Sequence, residues 1–376
     1  MTTYFPCSYL YANFKSFNNN IEALLNQITG KDRVTSLVFF GSSSDENYEK
    51  ELAVLTTIVP GHFKTQIPLV SYVSQSLPDS KMMAVEVHCL PDGVPSESLI
   101  FKQQEGLRYA IFELKSTKTL VIEGAMASSF SLSYTRQGDE IFEKIGAVLS
   151  SESMHIHEIV RQWNYIGNIT QVQNGIQNYQ AFNDARARFY EKTDWKNCGY
   201  PAATGIGADV SGISVSLIAI SGLRSIPVDN PLQIAAHSYS QSLLVGGDKR
   251  TPKFERARLI KNGFGSNCFV SGTAAIRGEE SMKVLNAGLQ TRQTIENINY
   301  LLSAENLKRY GLNNGARLEM TGLRIYVKKM EYLDSVKSEI EKTWPGLPAI
   351  YLQADICREE LLVEIEGTAM DAQNKL

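Results

Sequence analysis

The order of predicted elements repeats along this chain. From residue 107 the residue pattern predicts strands over Arg108–Lys115 and Lys118–Gly124. A helix over Gly138–Ser150, a strand over His157–Gly167 and a long amphipathic helix over Asn174–Lys192 follow, then Tyr200–Gly207 and a strand over Ile213–Ile220. The same order returns downstream. Strands over Arg256–Lys261 and Cys268–Thr273 precede a helix over Met282–Leu302, a strand over Leu323–Val327, a helix over Tyr332–Lys342, and strands over Pro348–Ala354 and Leu361–Glu366. The string ββαβαββ thus occurs twice. At an offset of 147 residues Pro201-Ala202 falls on Pro348-Ala349, and Ile213–Ile220 falls on the segment holding Val363–Glu366. Such self-similarity reads as a tandem duplication. Strands joined by helical crossovers build mixed sheets with helices packed on one face, an α+β sandwich.

The copies span about 107–223 and 254–370, joined by a turn-rich linker at 221–251 with Pro227, Pro231 and Gly246–Pro252. About 105 residues precede them. Within these, Ser36–Gly41 reads as a buried strand, Asn47–Thr57 as a helix ended by Pro60-Gly61, Met82–Leu90 as a strand and Pro91–Pro95 as a turn.

Charge and composition narrow the function. Lys and Arg number 37 against 40 Asp and Glu, without a basic block, which argues against nucleic-acid binding. No apolar run reaches the length of a membrane-spanning helix, and the first residues carry no secretory-signal pattern. Cys7, Cys89, Cys198, Cys268 and Cys357 are scattered, as free thiols in a cytoplasmic protein would be, and neither they nor the histidines show metal-ligand spacing. His155 and His157 read as surface residues. Thr204–Gly207 lacks the strand–Gly-x-Gly-x-x-Gly–helix setting of a dinucleotide site.

Particular motifs go further. Ser271-Gly-Thr273, Gln290–Ile298, Arg324–Val327 and Leu362–Glu366 make the second copy resemble the YjgF-like (RidA) family of reactive-intermediate deaminases. One residue departs: the Pro-Ala-Arg whose Arg grips substrate in simple deaminases is Pro201-Ala-Ala203 in one copy and Pro348-Ala-Ile350 in the other. From about residue 155 onward the chain resembles a narrower group, the chorismatases, which carry this fold twice. The resemblance rests on Trp163–Gly167, Asn178–Asn183, Tyr200–Gly207, Ser271–Ala274 and Ala354–Glu366. Where that family often shows Gly-His, this chain reads Arg277-Gly-Glu-Glu280.

The resemblance implies tandem YjgF-like (chorismate mutase-like) units, and because simple members of that fold assemble as trimers it implies that the leading segment fills part of the third position as a degenerate unit. The chain divides into an N-terminal α/β domain, 1–150, running into the first copy, and a C-terminal catalytic domain, 151–376. It implies an enzyme that cleaves the enolpyruvyl ether of chorismate to pyruvate and 3-hydroxybenzoate, with 4-hydroxybenzoate as a further product. The alternatives are hydrolysis to a dihydroxycyclohexadiene carboxylate, imine-deaminase-like chemistry, or non-catalytic ligand binding. It places the acid at Glu364 and marks the hydroxybenzoate-forming subtype by Cys357. It requires no metal and no cofactor, and the chain would act as a monomer or weak homo-oligomer.

Protonating a vinyl-ether carbon at neutral pH needs a carboxyl whose pKa is raised by burial. Period-two alternation puts Glu364 and Glu366 on one strand face with Leu362, and Val363 and Ile365 on the other. The offset aligns Glu364 with Leu217, leaving one catalytic copy. Two substrate carboxylates call for cations and oriented N–H groups. Arg324 at a strand start, Arg161, Tyr200, Thr204, Gly205, Gly272 and Thr273 are the candidates. Fusing two units lets Tyr200–Gly207 of one copy face Glu364 of the other across a domain interface.

Overall fold

The computed structural model describes residues 6–371 apart from 15, 64–65, 263–264 and 313–316. The opening stretch read for a signal, Met1–Phe5, lies outside the described residues.

Three sheets, each backed by helices, divide the chain. The first unit holds β1 (Cys7–Asn13), α1 (Phe17–Gln27), β2 (Val34–Gly41), α2 (Asp45–His62), β3 (Leu69–Ser74) and β4 (Met82–Cys89). The second holds β5 (Ile100–Gln104), β6 (Leu107–Leu114), β7 (Thr117–Met126), α3 (Tyr134–Ser151), β8 (Ile159–Gly167), α4 (Asn178–Tyr190), β9 (Ala202–Ala208) and β10 (Ile213–Ser221). The third holds β11 (Ser225–Val228), β12 (Ala257–Asn262), β13 (Gly265–Ala274), α5 (Ala287–Leu301), β14 (Leu318–Val327), α6 (Leu333–Thr343), β15 (Ala349–Gln353) and β16 (Val363–Asp371).

Strand order relates the units. The second sheet runs β9-β8-β10-β7-β6-β5 and the third β11-β12-β13-β16-β14-β15. Apart from the added edge strands β5 and β11, the two orders are the same. The first sheet, β1-β4-β2-β3, keeps that order but lacks the opening strand. In every unit the pair joined across the second helix is parallel (β2 with β3, β8 with β9, β14 with β15), and the other neighbours are antiparallel. This is the α+β arrangement of repeated mixed sheets with helices packed on one face that the sequence leads one to expect. A division at residue 150 passes through the last turn of α3, whereas the sheets divide the chain between β4 and β5 and between β10 and β11.

Local chemistry accounts for the boundaries. Ser133 caps α3, its side chain accepting from the Arg136 N–H, and Asn286 caps α5 in the same way through Leu289. The cap at Asn286 starts α5 later than the expected Met282, because Ile276–Arg277 and Glu280–Ser281 pair as a short hairpin. Helix α2 runs past Pro60, where the sequence suggests a stop. Proline removes one rung, and the final turn closes through Phe63 N–H to the Pro60 carbonyl at 3.3 Å.

Each helical layer covers a core of its own: Phe142, Phe182 and Phe189 in the second unit, Ile295, Ile298 and Val336 in the third, Leu24, Leu55 and Val59 in the first. A fourth core forms where the opposite faces of all three sheets meet, around Phe40, Trp163, Tyr326 and Ile356. Consequently the central strands β2, β8 and β14 are buried on both faces over most of their length. Backbone links cross the junction. Gly207 N–H donates to Asp355 O and Asp209 N–H to Ser74 O, both at 2.8 Å, and Gln353 N–H reaches Ser76 O at 2.8 Å.

Candidate active site

A cleft of about 740 Å³ lies between the second and third units. β9 contributes Ala203 and Gly205, α4 contributes Tyr179, Gln180 and Asn183, and β13 contributes Gly272 and Ala274. The segment before β16 adds Cys357, Arg358 and Leu361, and β16 itself adds Glu364. Most of the remaining wall is the long segment between β11 and β12, through Tyr239, Leu243, Leu244, Pro252, Phe254 and Arg256, with Gln177 and Ile276 completing it.

Glu364 is 5% exposed and its carboxyl has no hydrogen bond within the protein among the described residues, so it faces the cleft unengaged. Burial first, and then the neighbouring Glu366 carboxylate, push its pKa up to about 8, against the opposing pull of Arg161 and Arg256. Gly272 permits this position: a Cβ there would overlap a Glu364 carboxyl oxygen and come within 3.1 Å of the Thr204 methyl. Gly205 plays the same part opposite α4, where a Cβ would stand 2.8 Å from the Tyr179 ring. Cys357 is a neutral thiol, its pKa pushed up to about 12 by burial and then by Glu364.

Other candidates lie elsewhere. Thr204 sits on β9 between two cleft residues, but its hydroxyl turns away to Glu366 and Arg161 and accepts from Gly272 N–H at 3.0 Å. Thr273 alternates to the helix side of β13, where its hydroxyl donates to Ser271 O at 2.9 Å. Tyr200 stacks on Trp195 at 5.0 Å outside the cleft wall, its N–H bonded to Glu255 and its carbonyl to Arg258. Arg161 and Arg324 lie at the junction of the three sheets. Arg324 stands in the middle of β14, not at a strand start, and is consumed by Glu86 at 2.5 Å, Tyr165 and Glu366. Thr204, Arg161 and Arg324 make buried contacts because their side chains leave their strands on a face already covered by another sheet, whereas Thr273 is held on the helix side and Tyr200 in an aromatic stack.

Two register readings also change. Leu362 precedes β16 and packs with the helices, so only Glu364 and Glu366 share the junction face. Leu217 points into the helix-backed core of the second unit, whereas its neighbour Ser216 pairs with Trp163 much as Glu364 pairs with Tyr326. The 147-residue offset is therefore one residue out of step on this strand. On this strand only the second copy carries a carboxyl, and the first has a serine facing that way.

Sequence reading missed two cations that line the cleft, Arg256 and Arg358, and a third, Arg186, that contacts the wall residues Asn183 and Phe254. Arg256 is 3% exposed and donates to Ile234 O and the Tyr239 hydroxyl. Arg186, 1% exposed, donates to Asn183 Oδ1 and lies 5.3 Å from the Phe182 ring and 5.9 Å from Phe254. Arg358 donates to Glu279 O and Ser281 Oγ, so the Glu279–Glu280 segment that departs from the family pattern braces a cleft arginine. The Glu279 side chain in turn accepts from Ser240 N–H and ties down the connector. Among the described residues no carboxylate pairs with any of these three guanidiniums. Arg358 was within reach of sequence reasoning, since it follows Cys357; Arg186 hid inside an amphipathic helix and Arg256 at a strand start.

Comparison with known proteins agrees with this picture. A solved chorismatase structure superposes with a TM-score of 0.72 at 22% identity, covering 96% of this chain and 98% of that one. The fold is thus that of the chorismatases. The family model described as chorismatase FkbO/Hyg5-like, N-terminal, matches residues 101–219. A 3-hydroxybenzoate synthase of Streptomyces hygroscopicus is 32% identical over 226 residues, 58% of this chain and 65% of that protein. A chorismatase from the same organism is 34% identical over 212 residues, 56% of this chain and 60% of the relative. The chain thus spans somewhat less than two thirds of the length of these curated relatives, and its resemblance to the chorismatase family holds in both sequence and fold. No helix among the described residues is long and apolar enough to cross a membrane.

Proposed function

We propose that the cleft binds chorismate and cleaves its enolpyruvyl ether, releasing pyruvate and 3-hydroxybenzoate, with 4-hydroxybenzoate as a minor product. The observation that carries this reading is a single unengaged, buried carboxyl, Glu364, in a cleft bordered by arginines without carboxylate partners. A buried guanidinium without a counter-ion is costly. A dianionic substrate supplies the missing charge: Arg256 and Arg358 are the groups to hold its two carboxylates, and Arg186 adds positive charge from behind Asn183 and Phe254.

Glu364, protonated, delivers its proton to the methylene carbon of the vinyl ether. The resulting oxocarbenium ion is discharged as the ring C–O bond breaks and the ether oxygen leaves in pyruvate. Attack by the neighbouring ring hydroxyl on the vacated carbon closes a protonated epoxide. The hydroxyl's original C–O bond then breaks and the hydrogen on the vacated carbon leaves as a proton, which aromatises the ring and returns a proton to Glu364. Chorismate then equals pyruvate plus hydroxybenzoate, atom for atom. Attack by water instead consumes one water and gives the dienoic diol. The neutral Cys357 thiol, walling the cleft beside the acid, is suited to exclude that water. The absence of an arginine at Ala203 argues against the imine hydrolysis of the simple deaminases.

The test is incubation with chorismate, a coupled pyruvate assay and chromatographic separation of the ring products. Hydroxybenzoate with stoichiometric pyruvate supports the reading, and the diol assigns the hydrolytic subtype. No pyruvate together with tight binding of an aromatic carboxylate overturns it in favour of a binding protein.

A further inference from the structure

One buried cluster lies outside the cleft and joins all three units. The Glu366 carboxylate accepts from five donors: Arg161 Nη2 and the Thr204 hydroxyl at Oε2, Trp163 Nε1 at 3.0 Å, the Tyr326 hydroxyl at 2.9 Å and Arg324 Nη1 at 3.4 Å at Oε1. The first unit enters through Glu86 on β4, which takes Arg324 Nε at 2.5 Å and lies 3.0 Å from His88 Nε2. Burial opposes the Glu86 charge, yet Arg324 and His88 outweigh it and hold its pKa down at about 2. This cluster reaches the acid physically. Glu366 is two residues from Glu364 on the same face of β16, and Thr204, bonded to Glu366, also accepts from the N–H of Gly272, against which the Glu364 carboxyl lies.

We propose that Glu366 is a positioning residue that keeps the proton on Glu364, and that Glu86 of the first unit shares this task by holding Arg324 away from the acid. The inference rests on the reading of Glu364 as the acid. A paired carboxylate behind Glu364 disfavours a second negative charge in the same low-dielectric junction. Arg324, if released, would bring an uncompensated positive charge and favour that ionisation. The groups acting on Glu364 are Glu366, Arg161 and Arg256, with Tyr179 of α4 and Cys357 beside it. Those facing Glu366 from other strands are Arg161, Tyr165, Arg324, Tyr326 and, from β1, Tyr9. The first unit, which contributes nothing to the cleft wall, thereby gains a part in the chemistry.

The experiment follows Glu364 protonation directly by infrared difference titration, its band assigned by loss in Glu364→Gln, alongside the alkaline limb of kcat for pyruvate release. Glu366→Gln is expected to lower both midpoints by about one pH unit or more, Glu366→Asp to restore them, and Glu86→Gln to lower them by less. If Glu366→Gln fails to fold, Glu86→Gln, which retains the Arg161–Glu366 pair, decides. Unchanged midpoints in a folded variant, even with reduced kcat, overturn the inference. Wild-type protein that shows the infrared shifts on mutation but cleaves no chorismate leaves the inference standing and removes the reaction assigned to the site.

Discussion

Gly272 and Glu364 are in such close contact across neighbouring strands that a single added methyl would occupy the space of a carboxyl oxygen. The conflict is with the end of a side chain and not with backbone, so the fold can absorb it by moving the acid. Gly272→Ala is expected to lower kcat by about 100-fold, the cost of misplacing a reacting group by roughly an ångström, with little change in Tm. Near-wild-type turnover would show that Glu364 needs no such placement.

Glu364→Gln removes the acid and preserves the shape. Pyruvate release should fall by about 1,000-fold, within the range for a general acid. The wild-type rate should itself decline as pH rises through about 8, where Glu364 loses its proton. The same residue makes stability depend on pH. Its folded pKa lies above its unfolded one, so its contribution is fully present below the unfolded value of about 4.5 and is lost as pH rises through about 8. Thermal melts should therefore show Glu364→Gln gaining on wild type between pH 5 and roughly 8. A difference in Tm that stays flat with pH would contradict the raised pKa.

Arg256 separates binding from stability. Arg256→Met removes a buried cation that no carboxylate among the described residues pairs with directly, so kcat/KM for chorismate should fall by about 10- to 100-fold. The ligand-free protein should at the same time melt no lower than wild type, because an uncompensated buried charge is lost. A large fall in Tm with unchanged KM would assign Arg256 a purely structural part.

Cys357→Ala opens space beside the acid without altering charge. The proportion of dienoic diol among the ring products should rise, measured by chromatography at full conversion. An unchanged product ratio would remove Cys357 from control of the intermediate.

Glu86→Ala cuts the tie between the first and third units and leaves Arg324 buried without its closest partner. Chemical denaturation at neutral pH should report a loss of about 3–5 kcal/mol, the usual cost of orphaning a buried charge. In the wild type this contribution should be complete above pH 4.5 and fade as pH falls towards about 2, since the folded pKa of Glu86 is depressed.

The repeated element order was legible because it rests on local signals: apolar periodicity, turn residues and element lengths. Glu364, Cys357, Gly205 and Gly272 were legible through their motifs, and all four line the cleft. Arg324 and Arg161 were misplaced for a definite reason. A polar residue in an alternating strand ordinarily faces solvent or a ligand, but here that face is closed by two other sheets. Tyr239, Leu243 and Leu244 were missed because proline and glycine mark a connector without saying what it folds against.

The sequence by itself determined the units. Val363-Glu-Ile-Glu366 fixes a strand with one apolar face, and that face finds the helices of its own unit within one hundred residues of chain. Only the tertiary structure decided what becomes of the other face. Three sheets closing on one another bury both glutamates. Glu366 meets five donors from strands as much as 205 residues away, while Glu364, two positions along, meets none among the described residues, and burial beside the cleft pushes its pKa up to about 8. Local pattern sets the direction in which a side chain leaves its strand; the partners it then meets are set by non-local packing.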